Sequence, residues 1–286
     1  VIALLVPAAL ALGPRPACAA IPVVAAESVY GTLVQDIAGN AAQVVSILRN
    51  PAQDPHLFEA DPAIARALAA ARLVILNGAG YDPWMVGLLG ANPVPGRIVL
   101  DVSELTHAKD GANPHLWVDP ATMHVLAGNV ASALTRLDAA DAAGFAAGLA
   151  RVQARLATLD AKVAAIRARF GGATIAATEP VFGPMAAALG LTVRDMRFQL
   201  AVMNGTEPRA SDVAAIEADL RTHKARALIF NAQVTDASTQ RLLDIAKQAG
   251  VPVVGVTETL PPGEDYTGWM LAELSRVENA LSAGAP

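Results

Sequence analysis

The chain is predicted to be an α/β protein of two lobes, each a mostly parallel sheet flanked by helices, bridged by one long rigid helix. Short apolar runs alternate with helical segments from about residue 23 to 136, and again from 173 to 281. That order builds parallel sheets covered on both faces. Between the halves Phe145, Leu149, Val152, Leu156, Leu159, Val163, Ile166 and Phe170 recur at alternating steps of four and three, one unbroken apolar stripe of a long helix. At 286 residues the chain has room for two modest domains. We expect an N-terminal lobe over 20–138, a connector over 139–170 and a C-terminal lobe over 171–286.

Ahead of the first lobe, Val1 to Leu12 is apolar apart from Pro7 and leads through Gly13-Pro14-Arg15-Pro16 to Ala17-Cys18-Ala19. A short apolar stretch before an Ala-x-Ala site reads as a cleaved secretory signal over 1–19, and it is too short to span a membrane. Cleavage removes Cys18, the only cysteine, so the mature chain has no thiol for a disulfide or a thiolate site. The competing reading makes Cys18 a lipid-anchored first residue. Arg15, where such signals usually carry an aliphatic residue, favours a soluble periplasmic form. A net charge of −5 with no basic stripe argues against a nucleic-acid partner and suits a mobile cation.

In chain order, Val23 to Ala26 reads as a buried strand, 28–39 as a helix and Val44 to Leu48 as a second strand. Asp61-Pro62 and Asp82-Pro83 each offer an N-cap with proline at the first helical position, and Leu73 to Asn77 lies between them as a strand. Ile98 to Asp101 is the fourth strand. A polar loop then leads to Asp119-Pro120 and a helix to about residue 136. The second half repeats the pattern: a strand at 173–177, a short helix at 181–189 stopped by Gly190, and a helix from Ser211 to Arg221. A strand at 227–231, a helix from Asp236 to Ala249 stopped by Gly250, a strand at 251–256 and a final helix from Tyr266 to Leu281 complete it. The helix-strand-Asn order ending at Asn77 recurs in the unit ending at Asn231, a hint of internal duplication.

Two loops stand out. Asp54-Pro55-His56-Leu57-Phe58-Glu59 and Asn113-Pro114-His115-Leu116-Trp117-Val118-Asp119-Pro120 each place proline directly before histidine, which holds the imidazole on a stiff backbone. His56, His115, Glu179 and Glu258 each follow a predicted strand of an α/β lobe. Open parallel sheets bind ligands beyond the carboxyl ends of their strands, so two residues from each half can meet across one crevice. Two imidazoles and two carboxylates form a nitrogen and oxygen set suited to Zn²⁺, Mn²⁺ or Fe²⁺, and disfavour Cu(I), Ca²⁺ and Mg²⁺. Taken singly, each has a plainer reading: a loop histidine is more often solvated, and Glu179 before Pro180 suits a helix start. His107, His124 and His223 read as surface residues, and Trp117 and Phe182 as packing around the site.

In these two loops, in Leu73 to Gly80 followed by Trp84, and in the connector, the chain resembles the metal-binding receptors of zinc and manganese ABC importers, the TroA-like or zinc-uptake periplasmic proteins. The resemblance covers essentially the whole mature chain, and Asn-Pro-His-Leu-Trp is its most specific segment. It implies two α/β lobes bridged by one long helix, a buried four-ligand metal between them, and delivery to a membrane permease by a protein that works as a monomer. His56 and His115 match the first two ligands. Glu179, with Phe182 and Gly183 following, matches the third in its manganese-type form, where zinc-selective relatives carry histidine. The fourth is usually an aspartate after the last strand; here Glu258 stands in Thr257-Glu258-Thr259, with Asn231, Gln233 or Asp236 as alternatives. The long His-rich loop of many zinc receptors is replaced by a short one with His107 and Asp110. The balance tips slightly toward Mn²⁺. A secreted metallohydrolase using the same ligands is the second reading, disfavoured because no His-Glu-x-x-His segment is present and four protein ligands leave little room for water. An adhesin-type surface protein is the third.

Overall fold

The computed structural model describes residues 19–49, 62–109, 111–234 and 236–283. The signal segment up to Cys18, the Asp54–Glu59 loop with His56, and Asp110 lie outside the described residues. The N-terminal half comprises β1 (Ile21–Glu27), α1 (Ser28–Ala38), β2 (Ala42–Leu48), α2 (Pro62–Ala70), β3 (Leu73–Leu76), α3 (Pro83–Ala91), β4 (Ile98–Asp101), α4 (Val102–Leu105) and α5 (Pro120–Leu137). After the connector α6 (Ala142–Phe170) come β5 (Thr174–Ala177), α7 (Gly183–Ala188), β6 (Thr192–Val193), α8 (Met196–Met203), α9 (Ala210–Arg221), β7 (Leu228–Asn231), α10 (Ala237–Ala249), β8 (Val253–Val256) and α11 (Tyr266–Ala283).

The two sheets are wholly parallel, in the orders β2-β1-β3-β4 and β6-β5-β7-β8. Parallel strands are buried on both faces, which is why β3 reads as an unbroken apolar run. Val23, Ala25, Leu73 and Ile75 enter the main core, while Val24, Ala26, Val74 and Leu76 enter a second cluster with Leu68 and Met85 on the outer face. The C-terminal sheet divides alike: Ile175, Ala177 and Ile229 face the main core, and Ala176 and Leu228 face Phe198, Ile216, Leu220 and Leu242.

The main core runs through both lobes because α6 runs through both. Its stripe residues Phe145, Val152, Leu156, Leu159, Ile166 and Phe170 are buried along 29 residues, about 43 Å of helix at 1.5 Å per residue. Gly148 lets it approach α1 closely: a Cβ there would lie 2.0 Å from the Ile37 carbonyl oxygen. Arg155 pairs with Asp36 on the N-terminal lobe, and Lys162 and Arg169 pair with Glu278 on α11. These half-exposed pairs set direction more than they add stability. The connector therefore belongs to both lobes as packed structure.

The structure also contains elements where the sequence pattern predicts only loop. Asp101 caps α4, accepting from the backbone N–H groups of Ser103 and Glu104, so His115 follows a helical turn and a loop and does not directly follow β4. The edge strand β6 is two residues long and α8 begins at Asp195, whose φ of 62° is left-handed. Asp82 precedes Pro83 as expected but does not cap α3; its carboxylate bends back to accept from the N–H groups of Asn77 at 2.7 Å and Gly78 at 2.8 Å. Closing the Asn77–Asp82 turn has taken the carboxylate that the helix cap would have used.

Behind the last strand, Glu273 of α11 anchors the Thr257 turn. Its Oε1 accepts from the Thr257 N–H at 2.8 Å and the Trp269 indole N–H at 3.0 Å, with Arg276 at 3.7 Å. Burial pushes its pKa from an ordinary 4.5 to about 7, against these hydrogen bonds. Between those two pH values the folded chain holds a proton there that the unfolded chain has lost. Stability therefore falls as pH rises through the window, by an amount on the order of 3 kcal/mol at most. Glu273→Gln should melt like the parent near pH 5 and a few degrees higher at pH 8; thermal melts at both pH values check this.

Candidate metal centre

His115 is carried by the loop between α4 and α5 and is 1% exposed. Asn113 orients it. The Asn113 amide donates to the Pro180 carbonyl at 2.6 Å, so its Oδ1 must face the other way, where it accepts from the His115 backbone N–H at 3.1 Å and lies 2.8 Å from Nδ1. Nδ1 therefore carries a proton, and in the neutral ring Nε2 presents its lone pair. That lone pair faces Glu258 Oε1 at 3.5 Å. Two electron-rich atoms so placed attract a cation between them: bonds of about 2.1 Å at a tetrahedral angle span about 3.4 Å.

Glu258 lies two residues past β8, and Glu179 two residues past β5. The Tyr81 hydroxyl donates to Glu258 Oε1 at 2.8 Å, and its ring packs edge-on against His115 and Trp117. The Asn231 amide bridges the carboxylates, donating to Glu179 Oε2 at 2.7 Å and Glu258 Oε2 at 3.2 Å. Its Oδ1 accepts from the Gln233 N–H, which turns the NH₂ toward the acids. Gln233 Oε1 in turn accepts from the Glu258 and Thr259 N–H groups, fixing that turn. Asp236 is occupied elsewhere, capping α10 through Ser238 and Thr239. Burial raises the pKa of Glu179 and the Glu258 charge adds to the rise, while Asn231 and His115 oppose it. Tyr81 is pushed up by burial and by Glu258, which keeps the phenol protonated as a donor.

The N-terminal wall holds further buried polar groups. Asn77 accepts from the Tyr30 hydroxyl and donates to the carbonyls of Gly78 and Pro114, tying β3 to the histidine loop. Glu27 ends β1; burial first and Asp82 second push its pKa well up. Trp117, buried, is held from the opposite lobe by the Tyr266 hydroxyl on its carbonyl at 2.9 Å. Phe182 is buried, as the packing role expected of it requires, and His107 and His223 are exposed. His124 is half-buried and contacts Asp160 at 2.8 Å.

Of the expected ligands, the structure brings His115 and Glu258 face to face and sets Glu179 beside them through Asn231. Among the described residues no three His, Cys, Asp or Glu side chains stand as a ready-made ion cage, and His56 is outside those residues. Tyr81 and Glu27 were not expected at the site, and Asn231 and Gln233, expected only as alternatives for the fourth ligand, hold the two glutamates in place instead. Asn231 carried a further signal, its recurrence with Asn77.

Two parallel α/β lobes meet at a pocket of imidazole and carboxylate groups and are joined by one helix packed into both, a two-lobed α/β architecture. The family model described as "Zinc-uptake complex component A periplasmic" matches residues 23–280, and the chain belongs to that family. The high-affinity zinc uptake system protein ZnuA of Paracoccus denitrificans is 27% identical over 199 residues, 55% of this chain and 60% of that protein. A putative metal-binding protein of Treponema pallidum is 22% identical over 285 residues, covering 92% of this chain and 87% of its own. A putative metal-binding protein of Thermotoga maritima matches over 32% of each chain; against it and the Paracoccus protein the chain spans under two thirds of the relative's length. Among solved structures, the periplasmic zinc-binding protein TroA of Treponema pallidum has a TM-score of 0.77 at 21% identity, over 91% of this chain and 99% of that one. FpvC of Pseudomonas aeruginosa in complex with Mn²⁺ has a TM-score of 0.77 at 18% identity, over 93% and 100%. These likenesses show the fold.

Proposed function

We propose that this protein captures a divalent transition metal in the periplasm, holding it between the lobes through His56, His115, Glu179 and Glu258, and passes it to the membrane permease of an ABC importer as a monomer. The observation that carries this is the His115 Nε2 lone pair opposed to Glu258 Oε1 at 3.5 Å in a buried pocket with Glu179 alongside. Glu258 is favoured as fourth ligand because Asn231 presents its NH₂ to the site, the Gln233 oxygen is engaged by two backbone N–H groups, and Asp236 caps a helix.

Two carboxylates suit Mn²⁺, whereas Zn²⁺ binds such sets more tightly where both are present. The relatives' own descriptions name zinc uptake and a Mn²⁺ complex, so both metals are tested. The connector is packed into both lobes, so capture involves local shifts and no wide hinge closure.

Metal binds the folded chain, so stripping it with a chelator should lower the melting temperature, and Mn²⁺ or Zn²⁺ should restore it. A thousandfold excess over Kd corresponds to about 4 kcal/mol, a shift of several degrees at this size. Elemental analysis of protein purified without added metal identifies the cargo. An unchanged melting temperature after chelation and after readdition of both metals overturns the reading; turnover in a hydrolase screen would favour an enzyme instead.

A further inference from the structure

The sheets match strand for strand in order and in register. Ala25 pairs with Ile75 across β1 and β3 as Ala177 pairs with Ile229 across β5 and β7, and Ile75 then pairs with Leu100 as Ile229 pairs with Val254. Two residues beyond the first matched pair stand Glu27 and Asn77 in one lobe, and Glu179 and Asn231 in the other. Glu27 is thus the internal counterpart of Glu179. Glu27 ends one central strand and Glu179 lies two residues past the other, where neighbouring connections diverge and open parallel sheets take ligands.

The two acids differ in their surroundings. Asn231 gives its NH₂ to Glu179, whereas Asn77 spends its own on the Gly78 and Pro114 carbonyls. Glu27 is 5% exposed and lies against the Asp82 carboxylate, whose oxygens are taken by the Asn77 and Gly78 N–H groups, and neither Glu27 carboxyl oxygen has a hydrogen-bond donor among the described residues. It lines a narrow cavity with Tyr81, Trp117 and Glu258 that leaves about 10 Å³ for the centre of a small molecule, the space of one water. The Trp117 indole N–H is likewise buried without a partner among the described residues. A carboxyl group kept in such a place at a cost to folding calls for a ligand.

We propose that Glu27 is a further oxygen donor for the captured cation, directly or through the single water the cavity admits, and that it biases the site toward Mn²⁺ over Zn²⁺. Zn²⁺ is satisfied by four ligands in a tetrahedron, whereas Mn²⁺ seeks six in an oxygen-rich sphere. An added oxygen therefore benefits Mn²⁺ more. The proposal rests on the reading of this pocket as a metal site.

The test compares wild type, Glu27→Gln and His115→Ala for Mn²⁺ and Zn²⁺ affinity by chelator competition, with the visible d–d absorption of the Co²⁺ forms. Glu27→Gln is expected to weaken Mn²⁺ binding about tenfold and Zn²⁺ binding less than about threefold. Its Co²⁺ bands should intensify as the coordination number falls. Equal weakening of both metals with an unmoved Co²⁺ spectrum, or no change in either, overturns the proposal. If wild type binds neither metal, or His115→Ala binds both as wild type does, the metal-site reading itself fails and the proposal with it. Should Glu27→Gln not fold, Glu27→Met, which places an apolar chain of similar length in the same site, is read by the same criteria.

Discussion

His115→Ala should lower affinity for both Mn²⁺ and Zn²⁺ by roughly a hundredfold or more. The expectation follows from its geometry. Asn113, itself oriented by Pro180, sets the tautomer and aims Nε2 at Glu258 Oε1. Alanine removes the buried nitrogen donor while leaving Glu179 and Glu258 facing each other. Chelator competition and metal content after dialysis both read the loss. Glu258→Ala should fall nearly as far, since it removes the oxygen opposite the imidazole and leaves the Tyr81 hydroxyl without its acceptor. Either variant retaining full metal content would remove that residue from the ligand set.

The largest effect on stability is expected at Gly148. Gly148→Ala puts a Cβ 2.0 Å from the Ile37 carbonyl oxygen, and backbone cannot yield as a side-chain tip does. α6 must separate from α1 along the seam where Val34, Ile37, Phe145 and Val152 share the core. We expect a loss of about 3 kcal/mol or more in urea unfolding. Gly128→Ala in α5 supplies the opposite sign: its Cβ meets nothing within 4 Å, so the ordinary helix preference for alanine should stabilise by up to about 1 kcal/mol. If the two substitutions behave alike, close helix packing is not what holds the connector.

The parallel sheets were legible because strands buried on both faces read as apolar runs, and the connector because its stripe keeps one period over seven turns or so. β6 and α8 were not: two residues give no period, and a helix entered through a left-handed Asp195 has no standard start signal. α4 did carry one, Asp101 followed three residues later by Glu104, a capping pair that the polar composition of the loop concealed. In the pocket, His115 and the two glutamates announced themselves by residue type and place after strands. Tyr81 did not, and Gln233 was read only as an alternative ligand, since a tyrosine in a Gly-Tyr-Asp turn and a glutamine in a loop look the same whether they hold a ligand-bearing turn or face water.

The sequence by itself determined two sheets, one long helix between them and a set of polar residues clustered at strand ends, because periodicity and proline-stiffened loops are local properties. Only the tertiary structure decided which nitrogen of His115 is presented, which side of Asn231 faces the acids, and that Glu27 is the counterpart of Glu179. Each of these depends on hydrogen bonds or strand pairing between residues tens of positions apart. No local pattern encodes such contacts, since the chain must first be folded for the partners to meet.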